Sequence, residues 1–135
     1  MQLEPGRDLD ELIAEKVMGI TKICSEISLH EFLPLNGGHI CIMCAGWKLK
    51  PYSSSINDAY EVSEKMAELG FYRSLETRVK KTETMPRYSC TFVKIDKDGY
   101  GIQKGYAEAD KAPLTICLSA LNALEIKITN DPETD

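Results

Sequence analysis

Aromatic, basic and hydroxyl side chains are concentrated in the stretch WKLKPYSSS at residues 47–55. It begins with Trp47, the single tryptophan of the chain; Lys48, Lys50 and Tyr52 follow, and Ser54 stands among the three serines that end it. Aromatic rings stack on bases, cationic side chains bind phosphate, and the free amides at a helix N-terminus attract anions. If a helix begins at these serines, the stretch combines all three features of a site for a small phosphorylated or nucleotide ligand.

A second group of cationic and aromatic side chains lies on the strands predicted after residue 70. The residues that it adds to the predicted ligand site are Arg73, Arg78, Arg87, Tyr88 and Tyr100. Arginine suits this role because its guanidinium group binds phosphate through two parallel hydrogen bonds. The alternative interpretation is that these side chains occupy the faces of a sheet, and that the residues around Trp47 pack against protein, without binding any ligand. The sequence leaves both interpretations open.

Cysteine and histidine form one pattern that occurs in metal sites, HICIMC at residues 39–44. His39, Cys41 and Cys44, with His30 as a fourth ligand, would supply the tetrahedral set that Zn²⁺ prefers. The surrounding sequence, however, predicts a strand over residues 39–47, on which Cys41 and Cys44 would point to opposite faces. We therefore expect buried cysteines that act as small hydrophobic side chains, with no bound metal and no cofactor. A redox role is disfavoured because no helix begins there to lower a thiol pKa.

The residue types needed for catalysis occur without the spacing that catalysis requires. No Gly-x-Ser-x-Gly context accompanies the serines at 53–55, and the glycines at 99, 101 and 105 do not have the spacing of a dinucleotide-binding loop. The segment DKDG at 96–99 lacks the further ligands of a calcium loop. We therefore expect a protein that is not an enzyme.

The composition is that of one soluble globular domain over residues 1–135. Hydrophobic residues make up 43% of the chain and charged residues 27%, and its length is sufficient for a core without disulfides. The net charge of −5 disfavours binding to duplex nucleic acid. No apolar run is long enough to span a membrane, and the acidic N-terminal stretch lacks the features of a secretory signal. The odd number of cysteines, five, argues against a disulfide framework, so we expect a cytoplasmic location.

Hydrophobic periodicity predicts the elements that must position these residues. Apolar residues at helical spacing indicate helices over 7–18 and 54–69, and a nearly all-apolar run indicates a buried helix over 112–124. Between the first two helices, the turn signal Asn36-Gly37-Gly38 predicts an irregular hairpin within residues 20–52. Alternating segments predict strands over 71–79, 87–95 and 100–109, and residues 125–129 a short edge strand. This order predicts an α+β fold in which an antiparallel sheet packs against helices on one face or on both.

Three segments of the sequence resemble the phage ABA-sandwich domain, a family of small proteins from phages and prophages. They are LDELIAEKVMG in the first predicted helix, SSSINDAYEVSEKMAELGF in the second and ADKAPLTICLSALNAL in the third. The matching positions include Ser55, Ile56 and residues 59–62 and 112–121, while Tyr60 stands where tryptophan is expected. The resemblance implies a sheet sandwiched between helices, as α/β/α layers, and a phage origin. It brings no established enzymatic activity and no catalytic residues.

These observations together favour a non-enzymatic phage accessory protein that binds and sequesters a small ligand, most concretely a nucleotide immune signal of host antiphage defence. Such a protein needs affinity and no reaction. Because pockets of this kind often form between subunits, we expect a homo-oligomer, in the cytoplasm of the infected bacterial cell. The alternative is a protein-interaction module that inhibits or adapts a host or phage protein, since the negative charge suits a basic partner. A nucleotide-degrading enzyme is the third hypothesis.

Overall fold

The computed structural model describes residues 4–20, 22–24, 30–35, 38–78 and 87–125. The helices and strands in these residues are α1 (Arg7–Lys16), β1 (Phe32–Leu35), β2 (Gly38–Cys41), α2 (Ile56–Glu68), β3 (Phe71–Arg78), β4 (Arg87–Ile95), β5 (Gly101–Ala109) and α3 (Ala112–Ala123). Strands β1 and β2 form an antiparallel hairpin, and β3, β4 and β5 form a second antiparallel sheet in that order. The predicted α+β class and the predicted order of elements are confirmed. The strand predicted at 125–129 lies, apart from residue 125, outside the described residues.

Helix α1 buries Leu9, Ile13 and Ala14 along one stripe, as the spacing of its apolar residues predicts. The same side of the helix carries a buried carboxylate. Asp10 accepts a hydrogen bond from the backbone amide of Ser53 at 2.8 Å and another from the Ser53 hydroxyl at 2.7 Å. Burial raises the pKa of Asp10, although the hydrogen bonds from Ser53 act to lower it. This contact ties α1 to the segment that leads into α2.

Ser55 caps helix α2. Its backbone is extended (φ −112°, ψ 122°), and its side chain accepts a hydrogen bond from the amide three residues later at 3.5 Å. Ala59, Val62 and Met66 form the buried stripe of this helix. The chain leaves the helix at Gly70, whose φ of 96° lies in the left-handed region that glycine adopts easily. The last of the three serines therefore has a structural role.

One face of the β3–β4–β5 sheet packs against helices α2 and α3. Phe71, Cys90 and Phe92 lie on this face and are buried. Gly105 of β5 approaches α3 so closely that a Cβ atom there would overlap the backbone of Ala123. Helix α3 is buried nearly all round, as its apolar sequence predicts, because α1 and α2 also contact it. The core therefore lies between this face of the sheet and the helices.

The opposite face of the sheet carries large side chains that are exposed. Tyr72, Ile102 and Tyr106 are 67%, 59% and 45% exposed. Alternation along the strands and the pairing register place them on the same face as Val93, which is half-buried, and Lys104. The contacts of α2 and α3 with the sheet are made on the other side, so within the described residues no helix covers these five. We call them the uncovered face.

Candidate functional site

Residues 22–24 and 39–48 bring three segments of backbone side by side, next to the hairpin. The amide of Cys24 donates to the carbonyl of Trp47 at 2.9 Å, and the amide of Trp47 donates to the carbonyl of Lys22 at 2.9 Å. On the other side, the amide of Lys48 donates to the carbonyl of His39 at 2.8 Å. Trp47 thus pairs with residue 23 in parallel and with residue 40 antiparallel. Because side chains alternate along extended chains, residues 24 and 41 share the face opposite to Trp47.

The chain turns sharply where β2 ends, at Cys41. The amide of Ala45 donates to the carbonyl of Cys41 at 3.0 Å, and Ala45 has a φ of 59°, in the left-handed region. Gly46 follows, and a Cβ atom there would lie only 2.7 Å from the amide nitrogen of Cys24. The strand predicted over residues 39–47 is therefore confirmed only as far as Cys41, where β2 ends, and is wrong for residues 42–47. The inference that Cys41 and Cys44 point to opposite faces of that strand is wrong for the same reason.

The turn brings Cys41 and Cys44 together with two side chains from earlier in the chain. One ligand atom from each of Cys24, His30, Cys41 and Cys44 lies within 4.8 Å of all the others. The Nδ1 atom of His30 is 3.3 Å from the Sγ atom of Cys24 and 3.3 Å from that of Cys41. Cys24 and Cys41 are buried, whereas His30 and Cys44 are half-buried. We call these four residues the thiol–imidazole cluster.

The environment of Cys41 favours its ionised form. Burial acts to raise the pKa of this thiol, but hydrogen bonds from the amides of Cys44 and Met43 and from the side chains of Cys44 and Cys24 lower it to about 6. The amide nitrogen of Cys44 lies 3.4 Å from the Cys41 Sγ atom. The thiolate is the form of cysteine that ligates a metal or attacks as a nucleophile. This cluster therefore differs from the two core cysteines, since burial raises the pKa values of Cys90 and Cys117.

The cluster differs from the zinc set considered in the sequence by one residue. His39 is exposed and is not a member, and Cys24 is a member in its place. Three thiols and an imidazole that converge in this way can chemically ligate a soft or borderline metal ion, or form a disulfide on oxidation. The sequence signal that could have revealed the turn was the pair Ala45-Gly46 directly after the Cys-x-x-Cys motif, because small residues there permit a tight turn in place of a strand.

The residues predicted to bind a ligand beside Trp47 have protein partners. The ring of Trp47 packs over Gly38, where a Cβ atom would lie 3.2 Å from a ring carbon. The ammonium of Lys48 lies 5.6 Å from the centroid of an aromatic ring of β1, and that of Lys50 forms an ion pair with Glu61 at 2.8 Å. These side chains therefore contribute to packing around the hairpin and the start of α2.

Tyr52 and Ser54 complete the part of the predicted site that precedes α2. Tyr52 is only 2% exposed, so its ring packs in the core and is not presented to a ligand. Burial, and secondarily the nearby carboxylates, raise the pKa of Tyr52 to about 12. Ser54 is exposed, and its amide donates to the carbonyl of residue 51 at 3.2 Å.

The predicted arginines lie on both faces of the sheet. Arg73 faces the helices, and its guanidinium lies 5.3 Å from the centroid of the Tyr60 ring on α2. Arg87 lies on the opposite face, where its Nε atom is 3.0 Å from a carboxylate oxygen of Glu108. Arg78 pairs with Arg87 through the backbone, and its side chain lies outside the described residues. Arg73 and Arg87 therefore cannot contact the same small ligand on one face.

The two predicted tyrosines of the strands are also separated. Tyr88 is half-buried on the face of the sheet that packs against the helices, as its pairing with Thr77 requires. Tyr100 is exposed in the turn between β4 and β5. The residues of the predicted ligand site whose side chains the structure describes thus lie beside the hairpin, in the core, before α2, on both faces of the sheet and in a turn.

A model of the phage ABA sandwich domain matches residues 11–121 of the 135-residue chain. The chain belongs to this family. The phage ABA sandwich domain therefore includes the thiol–imidazole cluster, helix α2 and the whole β3–β5 sheet. No curated protein and no solved structure matches the chain. Within the described residues of this phage protein, every helix is too short or too polar to cross a membrane.

Two surfaces of this phage ABA sandwich domain are candidates for function, and they lie on different elements. The thiol–imidazole cluster is formed by Cys24, His30, Cys41 and Cys44, all of which precede α2. The uncovered face is formed by β3, β4 and β5. The first has the chemistry of a ligand set, and the second has the exposed aromatic and aliphatic side chains of a binding surface.

Proposed function

We propose that this phage ABA sandwich domain is a non-enzymatic binding protein that holds another protein against its uncovered face. The observation that carries the proposal is the exposure of Tyr72, Ile102 and Tyr106 on one side of the β3–β5 sheet. Adjoining exposed aromatic and aliphatic side chains are typical of protein interaction sites, in which tyrosine is enriched. Burial of these apolar side chains against a partner protein would remove them from water, which favours association.

The proposed partner presents basic residues around an apolar centre. The chain has a net charge of −5. The side of the sheet with the uncovered face carries Glu76 and Glu108 together with Lys104 and Arg87, and Arg87 pairs with Glu108, so the negative charge that would attract a basic partner belongs to the chain as a whole. Complementary charges speed association and fix the orientation of two proteins. By covering a basic functional surface, the domain would inhibit or adapt a host or phage protein.

The proposal involves no chemical reaction, and the cysteines and the aspartate of the core have environments that suit packing. The thiols of Cys90 and Cys117 are buried, and burial raises their pKa values, which disfavours the nucleophilic thiolate. Asp10 is engaged by the amide and the hydroxyl of Ser53 in the interior. These groups serve the packing of α1, α3 and the sheet, and binding alone requires none of them.

Sequestration of a nucleotide is the second candidate function, and one observation favours it. The rings of Tyr72 and Tyr106 are exposed on the same face as Lys104, which combines stacking surfaces with a cation. The site would differ from the one predicted from the sequence, because Tyr52 is buried and Lys50 is paired with a carboxylate. In this second candidate function, a second copy of the chain would complete the nucleotide pocket.

A photo-crosslinking amino acid at position 72 of the full chain tests the proposed surface. The matched control is the same amino acid at position 60, because Tyr60 is also exposed but lies on α2. We expect crosslinking in infected cells from position 72 and not from position 60, to a protein with a basic contact surface. Crosslinks from both positions, from neither, or only between copies of this chain would contradict the proposal.

Titration with the crosslinked partner, once purified, separates the two candidate functions. We expect Tyr106→Ala to weaken the affinity for that protein about tenfold or more, and added salt to slow the association. Calorimetric titration of the wild type with a panel of cyclic and linear nucleotides is the parallel measurement. If the wild type binds a nucleotide, and if Tyr72→Ala and Tyr106→Ala both weaken that binding, nucleotide sequestration replaces protein binding as the proposed function.

A further inference from the structure

We propose that Cys24, His30, Cys41 and Cys44 bind one Zn²⁺ ion as a closed structural centre. The proposal concerns the thiol–imidazole cluster and does not depend on the function of the uncovered face. It replaces the expectation from the sequence that these cysteines are packing residues without a metal.

The distances within the cluster are close to those of a tetrahedral zinc centre. With Zn–S bonds of about 2.3 Å and Zn–N bonds of about 2.0–2.1 Å, the S···N edge of a tetrahedron is about 3.6 Å and the S···S edge about 3.8 Å. The Nδ1 atom of His30 lies 3.3 Å from the Sγ atoms of Cys24 and Cys41, and all four donor atoms lie within 4.8 Å. The two S···N distances are thus within about 0.3 Å of that edge, and no pair of donors is more than about 1.2 Å farther apart than the corresponding edge around a zinc ion.

The backbone of the turn has the form that two cysteine ligands of one ion require. The hydrogen bond from the Ala45 amide to the Cys41 carbonyl and the left-handed conformation of Ala45 fold residues 41–45 tightly. The Cys44 amide points at the Cys41 Sγ atom, 3.4 Å away. A backbone N–H aimed at a ligating sulfur is a second-shell contact that orients the ligand and stabilises its negative charge. Gly46 then lets the segment of Cys24 approach.

The donor set selects zinc among the common metal ions. Calcium and magnesium take oxygen ligands, and the cluster offers sulfur and nitrogen. Iron–sulfur clusters are most often held by four cysteines, whereas three cysteines with one histidine form a common structural zinc set. Four protein ligands fill the tetrahedron and leave no position for water or substrate. The centre is therefore structural, in contrast to catalytic zinc sites with three protein ligands.

The hairpin is a part of the chain that needs such a cross-link. In the described residues, β1 and β2 contact chiefly each other. A two-stranded hairpin alone is marginally stable in water, and here backbone hydrogen bonds of residues 46–48 link it to residues 22–24, where Ile23 packs against the core. An ion bound by Cys24, His30, Cys41 and Cys44 would reinforce this link. Metal binding and ordering of the hairpin would then be one equilibrium.

The test uses the full chain, purified and kept reduced, with added Zn²⁺ or Co²⁺ as the probe. We expect one metal ion per chain by elemental mass spectrometry. Co²⁺ should give the visible absorption of a tetrahedral thiolate complex, and Zn²⁺ should remove it. Removing the metal with a chelator should increase hydrogen exchange at the amides of residues 41–47, while the amides of β3–β5 stay protected.

The two histidines provide a matched pair of variants. His30→Ala removes a proposed ligand, whereas His39→Ala removes an exposed histidine outside the cluster. We expect the affinity for Zn²⁺, measured by competition with a chelator, to fall at least about tenfold in the first variant and to be unchanged in the second. If the wild type binds no stoichiometric metal, lacks the tetrahedral Co²⁺ spectrum, or loses metal equally in both variants, the proposal is overturned. If a variant fails to fold, the Co²⁺ spectrum of the wild type still shows whether the tetrahedral metal centre exists.

Discussion

His30 and Cys41 are separated by eleven positions in the chain, yet the Nδ1 atom of His30 lies 3.3 Å from the Sγ atom of Cys41. The contact depends on the tight turn after β2, which directs Cys44 to the same place, and on the segment of Cys24, which completes the group. A glycine at the crossing of these segments gives the first prediction.

Gly46→Ala should weaken Zn²⁺ binding although residue 46 is not a ligand. A Cβ atom at this position would lie 2.7 Å from the amide nitrogen of Cys24 and 3.0 Å from the carbonyl carbon of Ile23, so the two segments must move apart. We expect a loss of affinity of about tenfold or more, measured by chelator competition. Gly101→Ala is the control, because its Cβ atom would only touch a Val93 methyl group at 3.5 Å. Unchanged zinc affinity in Gly46→Ala would contradict the account of the turn.

The cluster shows where sequence reasoning succeeded and where it failed. Residue types alone identified Cys41, Cys44 and His30 as a possible set, because Cys-x-x-Cys with a histidine is a recognisable spacing. The apolar residues between the cysteines favoured a strand, and the left-handed conformation of Ala45 decided for a turn. Cys24 was not identified as a partner, because its approach depends on backbone pairing with Trp47, which no local pattern encodes.

Asp10→Asn should change how stability depends on pH. The variant keeps an oxygen acceptor for the amide and hydroxyl of Ser53 and removes the buried charge. Because burial raises the pKa of Asp10 above 3.8 in the folded state, folded protein binds the proton more tightly than unfolded chain. The resulting contribution to the stability of the wild type is fully present below pH 3.8 and is lost as the pH rises through the folded-state pKa.

Urea unfolding of wild type and Asp10→Asn over the range of about pH 3.5 to 7 measures this effect. In the difference between the free energies of unfolding of wild type and variant, the contributions of the other carboxylates cancel. We expect the wild type to lose stability relative to the variant as the pH rises from 3.8. A difference that stays constant, or one that moves in favour of the wild type, would show that the carboxylate is not desolvated.

The predicted ligand site illustrates a different limit. The sequence placed Arg73 and Arg87 together because both are cationic and both lie on neighbouring strands, but the register puts them on opposite faces. Their pairing with Tyr60 and Glu108, and that of Lys50 with Glu61, are tertiary contacts between distant segments. The elements themselves were predictable, because cap, periodicity and turn signals are local. The direction of a side chain relative to another element is not local.

Gly105→Ala should destabilise the domain strongly. The new Cβ atom would overlap the backbone of α3 at Ala123 and Ser119, and neither a rotamer change nor a side-chain shift can remove a clash with backbone. We expect a loss of about 1–3 kcal/mol or more in the free energy of unfolding, measured by urea titration. Gly101→Ala in the same strand is again the control and should be nearly neutral. A nearly neutral Gly105→Ala would mean that α3 lies farther from β5 than the structure shows.

Replacing two tyrosines by alanine should separate the core from the uncovered face. Tyr52 is 2% exposed and Tyr72 is 67% exposed. Tyr52→Ala should therefore lower the free energy of unfolding by about 3–5 kcal/mol, because it leaves a cavity in the core. Tyr72→Ala should change it by less than about 0.5 kcal/mol, because its ring already contacts water. Thermal and urea unfolding of the two variants measure both values. A large loss of stability in Tyr72→Ala would mean that its ring is buried in the free chain, and the proposed binding surface would then not exist.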